Sequence, residues 1–273
     1  MAKFVGSFAA SHGPLVARNW EGVGPERLTQ VKKTFAELGV RFTAANPDAL
    51  IVVSPDHWVN FFINNLPSFC LGVGKEHEGS PEPWLKVPFT SFPGHPEFAM
   101  HLASFAFNND FEPSLSHHLK LDHGFLIPLW KMGLTKLPRI VPLIVNIIEP
   151  PLPSFKRCYS WGQMIRQAIE SYPEDIRIAV LATGGLSHSI GEPDMGRLDE
   201  AYDKECFKHF ESSNLETLMT FLDNRTEAAG NGAAEVRNWV VAHGCAQGKG
   251  FDPIGYHPYQ EWYIGCGFAS WRL

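Results

Sequence analysis

Three histidines in this chain each stand just beyond a short run of apolar residues. Ser11-His12-Gly13-Pro14 follows residues 4–10, Ser54-Pro55-Asp56-His57 follows residues 49–53, and Thr183-Gly184-Gly185-Leu186-Ser187-His188 follows residues 176–182. Imidazole is a common ligand for iron, zinc and copper, and it titrates near neutral pH. Three gathered in one place would therefore make a metal site or an acid–base site. Two histidines and a carboxylate on one face of an octahedral ion leave positions open for a substrate and O2, as in non-haem Fe(II) oxygenases. The carboxylate has to come from elsewhere in the chain.

Plainer roles compete for several of these residues. A single histidine after a strand commonly caps a loop or meets a backbone carbonyl, and only the coincidence of three shifts the balance. His117 and His118 read as a solvated turn, and His243, near a helix C-terminus, reads as a partner for the helix dipole. Asp56 reads as a loop-orienting acid that could also orient a ligand. Trp58, Phe61 and Phe62 read as core. Thr183-Gly184-Gly185 lacks both common phosphate-loop patterns, and no H-E-x-x-H helix is present. The five cysteines, Cys70, Cys158, Cys206, Cys245 and Cys266, contain no C-x-x-C pair, which excludes a thiolate zinc ribbon and a disulfide framework.

The elements that would position the histidines follow from hydrophobic patterning. Residues 4–10, 49–53, 140–147 and 176–182 are short, mostly unalternated apolar runs, as in strands buried on both faces. Between them, residues 25–38 and 161–171 carry apolar side chains at helical spacing. Strand–helix alternation predicts an α/β fold, a single domain over residues 1–273 with a central, mostly parallel or mixed sheet flanked by helices. In such sheets ligands bind at the carboxyl ends of strands, where all three histidines fall. Ser213 with Glu216 has capping-box spacing, a helix is expected over residues 233–243 with Gly244 as its stop, and the last third reads as mostly helical. The Gly- and Pro-rich segment 72–96 reads as a long surface loop of the kind that forms a lid or rim.

Composition narrows the class of function. Of 273 residues, 44% are hydrophobic and 19% charged, the balance of a globular chain with a large core. A net charge of -6 without any Lys/Arg-rich run argues against nucleic acid as a partner. No segment approaches the roughly 20 apolar residues that span a bilayer, and the N-terminal residues lack a secretory pattern. The expectation is a cytoplasmic enzyme without a membrane partner.

Taken together, Ser11-His12-Gly13-Pro14, Ser54-Pro55-Asp56-His57, Leu121-Asp122-His123-Gly124 with Pro128-Leu129, and Thr183-Gly184-Gly185-Leu186-Ser187-His188 resemble the class III extradiol ring-cleavage dioxygenases, the family of the protocatechuate 4,5-dioxygenase catalytic subunit. The order and approximate spacing match along nearly the whole chain, and Pro150-Pro151-Leu152-Pro153-Ser154-Phe155-Lys156-Arg157-Cys158 also looks like that family's proline-rich stretch after a central strand. The resemblance implies an α/β fold and an Fe(2+) cofactor held by His12, His57 and a glutamate in the C-terminal third. The context Gly232-Ala233-Ala234-Glu235-Val236-Arg237-Asn238-Trp239 points to Glu235, with Glu227 as the fallback. It further implies His188 as the acid–base residue and His123 as a second active-site histidine that holds substrate or polarises the reacting oxygen. The implied substrates are a small aromatic diol or aminophenol and O2, and the implied assembly is a homo-oligomer or a complex with a separate small subunit.

Two other readings use the same residues. A mononuclear zinc hydrolase could employ two histidines and a carboxylate to activate water, and metal analysis separates it from the iron enzyme. A non-catalytic scaffold of the same fold would not need His12, His57, His123, His188 and Glu235 together.

Overall fold

In the computed structural model, residues 1–134 and 136–272 are described. The elements run β1 (Lys3–Ala10), α1 (Leu15–Arg18), α2 (Pro25–Ala45), β2 (Ala49–Ser54), β3 (Phe69–Gly72), β4 (Glu76–Glu78), β5 (Ser91–Pro93), α3 (Pro96–Phe107) and β6 (Ser114–Ser116). They continue α4 (His123–Lys131), β7 (Arg139–Val145), α5 (Phe155–Ser171), β8 (Arg177–Thr183), α6 (Glu200–Glu211), α7 (Leu215–Arg225), α8 (Val236–Cys245), β9 (Phe251–Tyr259) and β10 (Ile264–Trp271).

The four apolar runs read from the sequence become the centre of one mixed sheet, in the order β6-β3-β7-β2-β8-β1-β10-β9. β7, β2, β8 and β1 are parallel neighbours, while β3 and β10 flank them in antiparallel pairing. Every residue of β2 is buried, because successive side chains enter different cores. Leu50, Val52, Ala179 and Leu181 face a cluster with Val31, Phe35 and Leu38 of α2 and with α4. Ile51, Val53, Val180 and Ala182 face α3, α5 and α8. Burial on both faces explains why these strands show no polar alternation.

Several expectations need correction. The last third is helical only through α8; residues 251–271 form the β9–β10 hairpin, and β10 extends the sheet by pairing with β1. Gly265, Gly267, Pro253 and Pro258 blank out the strand pattern there, and pairing with β1 supplies what local propensity lacks. Ser213 is not the cap of α7: it sits at φ 53, and the Asn214 side chain accepts from the Thr217 N–H. His243 is buried, accepts a hydrogen bond from Trp271 Nε1 at 2.9 Å, and is pushed by burial down to about 4. A neutral core imidazole gives no charge to a helix dipole. The long surface segment 72–96 also holds short strands where only loop is expected, since β4 pairs with β5 and Glu78 bridges to Lys120.

Gly244 does not stop a helix, because α8 runs through Cys245. Its role is proximity: α5 and α8 cross so closely that a Cβ on Gly244 would lie 2.2 Å from the Tyr159 carbonyl, and one on Gly162 2.1 Å from the Val241 carbonyl. Backbone atoms there cannot step aside. Gly162→Ala should therefore cost about 1–3 kcal/mol, read as a lower denaturation midpoint; an unchanged midpoint would show that the crossing tolerates separation.

Candidate metal and acid–base site

Parallel pairing sets the carboxyl ends of β1, β2 and β8 side by side, with Ala10 opposite Thr183 and Val53 opposite Ala182. His12, His57 and the 183–188 turn therefore leave the sheet at one edge. Ser11 pins the crossover, its Oγ donating to the Gly185 carbonyl and accepting from Gly267 N. Glu235 enters from the start of α8, and Gly185 N donates to its Oε2 at 2.6 Å. That bond leaves Oε1 free to point inward, 3.4 Å from His12 Nε2, 3.5 Å from His57 Nε2 and 3.8 Å from His188 Nε2. The carboxylate can come so close only because residue 184 is glycine, at φ 96: a Cβ would lie 2.4 Å from Glu235 Oε2.

The outer nitrogens of three imidazoles are already engaged. His57 Nδ1 lies 3.1 Å from Asp122 Oδ2, which also accepts the His57 backbone N–H at 2.8 Å. Asp122 caps α4 by accepting from Gly124 N. His123, the first residue of α4, has its Nδ1 2.7 Å from Glu82 Oε1. His188 Nδ1 donates to the Leu186 carbonyl at 2.9 Å. Held from outside, each ring turns its Nε2 toward the common space, as second partners of metal-binding histidines do. His12, His57 and His123 offer ring nitrogens all within 4.8 Å of one another. Trp84 stands 5.6 Å from His123, and the Arg18 guanidinium lies over the Trp84 ring, 5.6 Å from its centroid.

Burial by itself would raise the Glu235 carboxyl, but His12, His188 and His57 around it hold it well below the ordinary range. Burial keeps His12 below its ordinary value despite Glu235. For His57 burial pulls down as well, yet Asp122 and Glu235 together outweigh it and push the ring up to about 10. Two buried carboxylates thus share a few imidazoles, an arrangement that favours positive charge.

A cation fits this space. Both ring nitrogens of His12 and Nε2 of His123 are buried without a hydrogen-bond partner, which is costly unless something binds them. The 3.4–3.5 Å gaps from Glu235 to His12 and His57 exceed a good N–H···O bond. They approach the spacing of about 3.0–3.4 Å between two atoms each bonded at about 2.1 Å to one ion.

The structure thus brings His12, His57, His123, His188 and Glu235 together. Glu227 lies exposed in a turn before α8, outside this group. Asp56 accepts backbone N–H groups of Val59, Asn60 and Phe61 and so orients the loop, while Asp122 is the acid that meets His57. Trp58 and Phe62 are 38% and 52% exposed, so they belong to the rim and not the core; Phe61 is partly buried. His117 and His118 are exposed, as a solvated turn requires.

Three acids escaped notice in the sequence. Asp122 lay inside a quoted motif without a role. Glu82 is the one acid between Pro81 and Pro83, a weak signal in a stiff segment. Asp203, inside α6, has no sequence signal; it accepts from Ser187 N, Ser187 Oγ and Tyr256 Oη and so holds the turn that carries His188.

A doubly wound sheet with histidines and a buried glutamate at its strand ends is the frame of a metal-dependent α/β enzyme. The family described as "Catalytic LigB subunit of aromatic ring-opening dioxygenase" matches residues 6–263, and the chain belongs to that family. It is 31% identical to a 2,3-dihydroxyphenylpropionate/2,3-dihydroxicinnamic acid 1,2-dioxygenase of Klebsiella pneumoniae, over 95% of this chain and 96% of that protein. A like-named enzyme of Xanthobacter autotrophicus is 30% identical over the same shares. A gallate dioxygenase of Pseudomonas putida is 32% identical over 55% of this chain and 45% of its own. The crystal structure of an uncharacterized Escherichia coli K12 protein shares the fold, with a TM-score of 0.65 at 14% identity, covering 98% of this chain and 99% of that one. The chain is a catechol ring-cleaving dioxygenase of the extradiol type, and it depends on a metal.

Burial lifts the Asp203 carboxyl from 3.8 to about 7, against the pull of its three donors. Between those values the folded chain keeps a proton that the unfolded chain has released, so the Asp203 contribution to stability falls as pH rises from about 4 to 7 and changes no further above. Asp203→Asn should flatten that slope in denaturation midpoints measured across this range; a variant with the wild-type slope would place its origin elsewhere.

Proposed function

We propose that His12, His57 and Glu235 hold one Fe(2+) and that His188 and His123 handle the substrate's protons and oxygens in ring opening. The reading rests above all on Glu235 Oε1, anchored through its sister oxygen and within 3.4–3.8 Å of three imidazoles. His123 is the rival third ligand by distance. Glu235 is preferred because it brings negative charge: three neutral imidazoles would leave a buried divalent ion uncompensated. His12, His57 and Glu235 would hold the ferrous ion, which would supply open positions for substrate and O2 and the redox chemistry of ring opening.

The rest is work for side chains. With Nδ1–H committed to the Leu186 carbonyl, His188 presents a bare Nε2 next to Glu235, placed to take a phenolic proton and later return it. A positioned imidazole of this kind contributes roughly 10²–10⁴ in rate. His123, its Nδ1 engaged by Glu82, presents a buried Nε2 beside His12 and His57, where it can meet a substrate oxygen. Trp84 packs beside His123 and screens it from water.

The substrate class is a ring with two adjacent oxygens, or an oxygen and an amine. The relatives named for dihydroxyphenylpropionate and gallate support this class. Residues 1–273 act as one catalytic domain. Work in the cytoplasm is consistent with five buried free cysteines, and among the described residues no helix is long and apolar enough to cross a membrane. Trp58, Phe62 and Ile63 after His57, and Ile190 and Met195 after His188, are exposed apolar residues that support assembly as a homo-oligomer or with a separate small subunit.

His12→Ala and His57→Ala should each lose bound iron after anaerobic reconstitution. His188→Phe should retain iron and catechol binding but lose turnover, followed as O2 uptake and the yellow ring-fission product. Full iron and activity in His57→Ala, or zinc in place of iron without O2 uptake, would contradict the assignment.

A further inference from the structure

Segment 72–96 grips His123 through the side chain of Glu82. Glu82 Oε1 lies 2.7 Å from His123 Nδ1, and Oε2 accepts the His123 backbone N–H at 2.7 Å, so the carboxylate grips the first residue of α4 at two points. The Ser80 hydroxyl donates to Glu82 Oε2 and accepts from the Glu82 N–H, each at 3.0 Å, and Pro81 and Pro83 stiffen the chain on either side. The Glu82 side chain is only 15% exposed. Its support is itself tied down, by β4–β5 pairing and by hydrogen bonds from Glu78 N to Leu119 O and from Leu121 N to Glu78 O. The result is a braced carboxylate on one nitrogen of His123, with the other nitrogen buried and unpartnered toward the metal space.

We infer that Glu82 is a positioning residue for ring cleavage, acting through His123. Given the reading of His123 as an active-site residue, its carboxylate dictates which ring nitrogen carries the proton and where the ring points. A carboxylate has only acceptors, so Nδ1 must donate and Nε2 is left to face substrate. Because the same segment carries Trp84, 5.6 Å from His123, one braced loop sets both the ring's orientation and the wall beside it.

Glu82→Gln is the informative change, since it keeps shape while removing the all-acceptor character. If the amide oxygen accepts the backbone N–H of His123, the amide NH2 faces Nδ1 and forces the proton to Nε2. The reverse orientation would set the NH2 against both donors that Oε2 now accepts, the His123 backbone N–H and the Ser80 hydroxyl, so the first orientation prevails and the wild-type tautomer loses its hold.

The experiment is a double-mutant cycle on the iron-loaded enzyme, with Glu82→Gln made alone and in a His123→Ala background. Metal content and denaturation midpoint are measured for each protein. Expected is a loss of about 10- to 100-fold in kcat from Glu82→Gln in the wild type, and under twofold in the His123→Ala background. In the metal-free protein, 15N-histidine spectra should show His123 protonated at Nδ1, and a shift toward protonation at Nε2 in Glu82→Gln. An equal loss in both backgrounds, no loss in either, or an unaltered His123 spectrum would overturn the inference. Undiminished turnover in His123→Ala alone would remove the reading of His123, and the inference with it. Should Glu82→Gln fold poorly, Glu82→Asp, too short to span both contacts, is put through the same cycle with the same outcomes.

Discussion

A carboxylate sealed among imidazoles is the constraint on which the rest of this structure depends. Glu235 is 3% exposed, and its charge is tolerable only because His12, His57 and His188 surround Oε1 and the Gly185 N–H holds Oε2. Close backbone contact at Gly184 lets the acid in, and the tight crossing with α5 clamps the far end of the helix that follows it. Asp122 adds a second buried negative charge behind His57. A site built this way favours positive charge, so under the proposed assignment the fold's demand for neutrality and the enzyme's demand for a metal are met by the same ion.

Around that centre the outer nitrogens matter as much as the inner ones. Asp122, Glu82 and the Leu186 carbonyl each hold one imidazole from behind, and they come from three different parts of the chain. None need touch substrate, yet together they decide where the Nε2 atoms of His57, His123 and His188 point. Ser11 and Asp203 extend the bracing by tying the 183–188 turn to β10 and α6. Rigidity at the strand ends therefore comes from polar crosslinks between loops, over a sheet stiffened by apolar packing on both faces.

Much of this was legible in the residues. The four central strands are continuous apolar runs because they are buried on both sides, and the histidines following three of them fall where parallel strands end. What stayed hidden depends on long-range contact. β9 and β10 carry glycine and proline through their length and exist as strands because β1 offers an edge. Asn214 replaced Ser213 as a cap by one residue, a difference set by the left-handed backbone at 213. Glu82 and Asp203 have no periodicity or spacing to betray them, because an acid's partner 41 or 16 residues away is a fact of the fold.

Iron-edge anomalous diffraction from crystals of the anaerobically reconstituted enzyme would locate the ion. One strong peak is expected, bonded to His12 Nε2, His57 Nε2 and Glu235 Oε1 at about 2.0–2.2 Å, with His123 and His188 nearby but unbonded. A peak away from these three side chains, or one bonded to His123 in place of Glu235, would contradict that set of ligands.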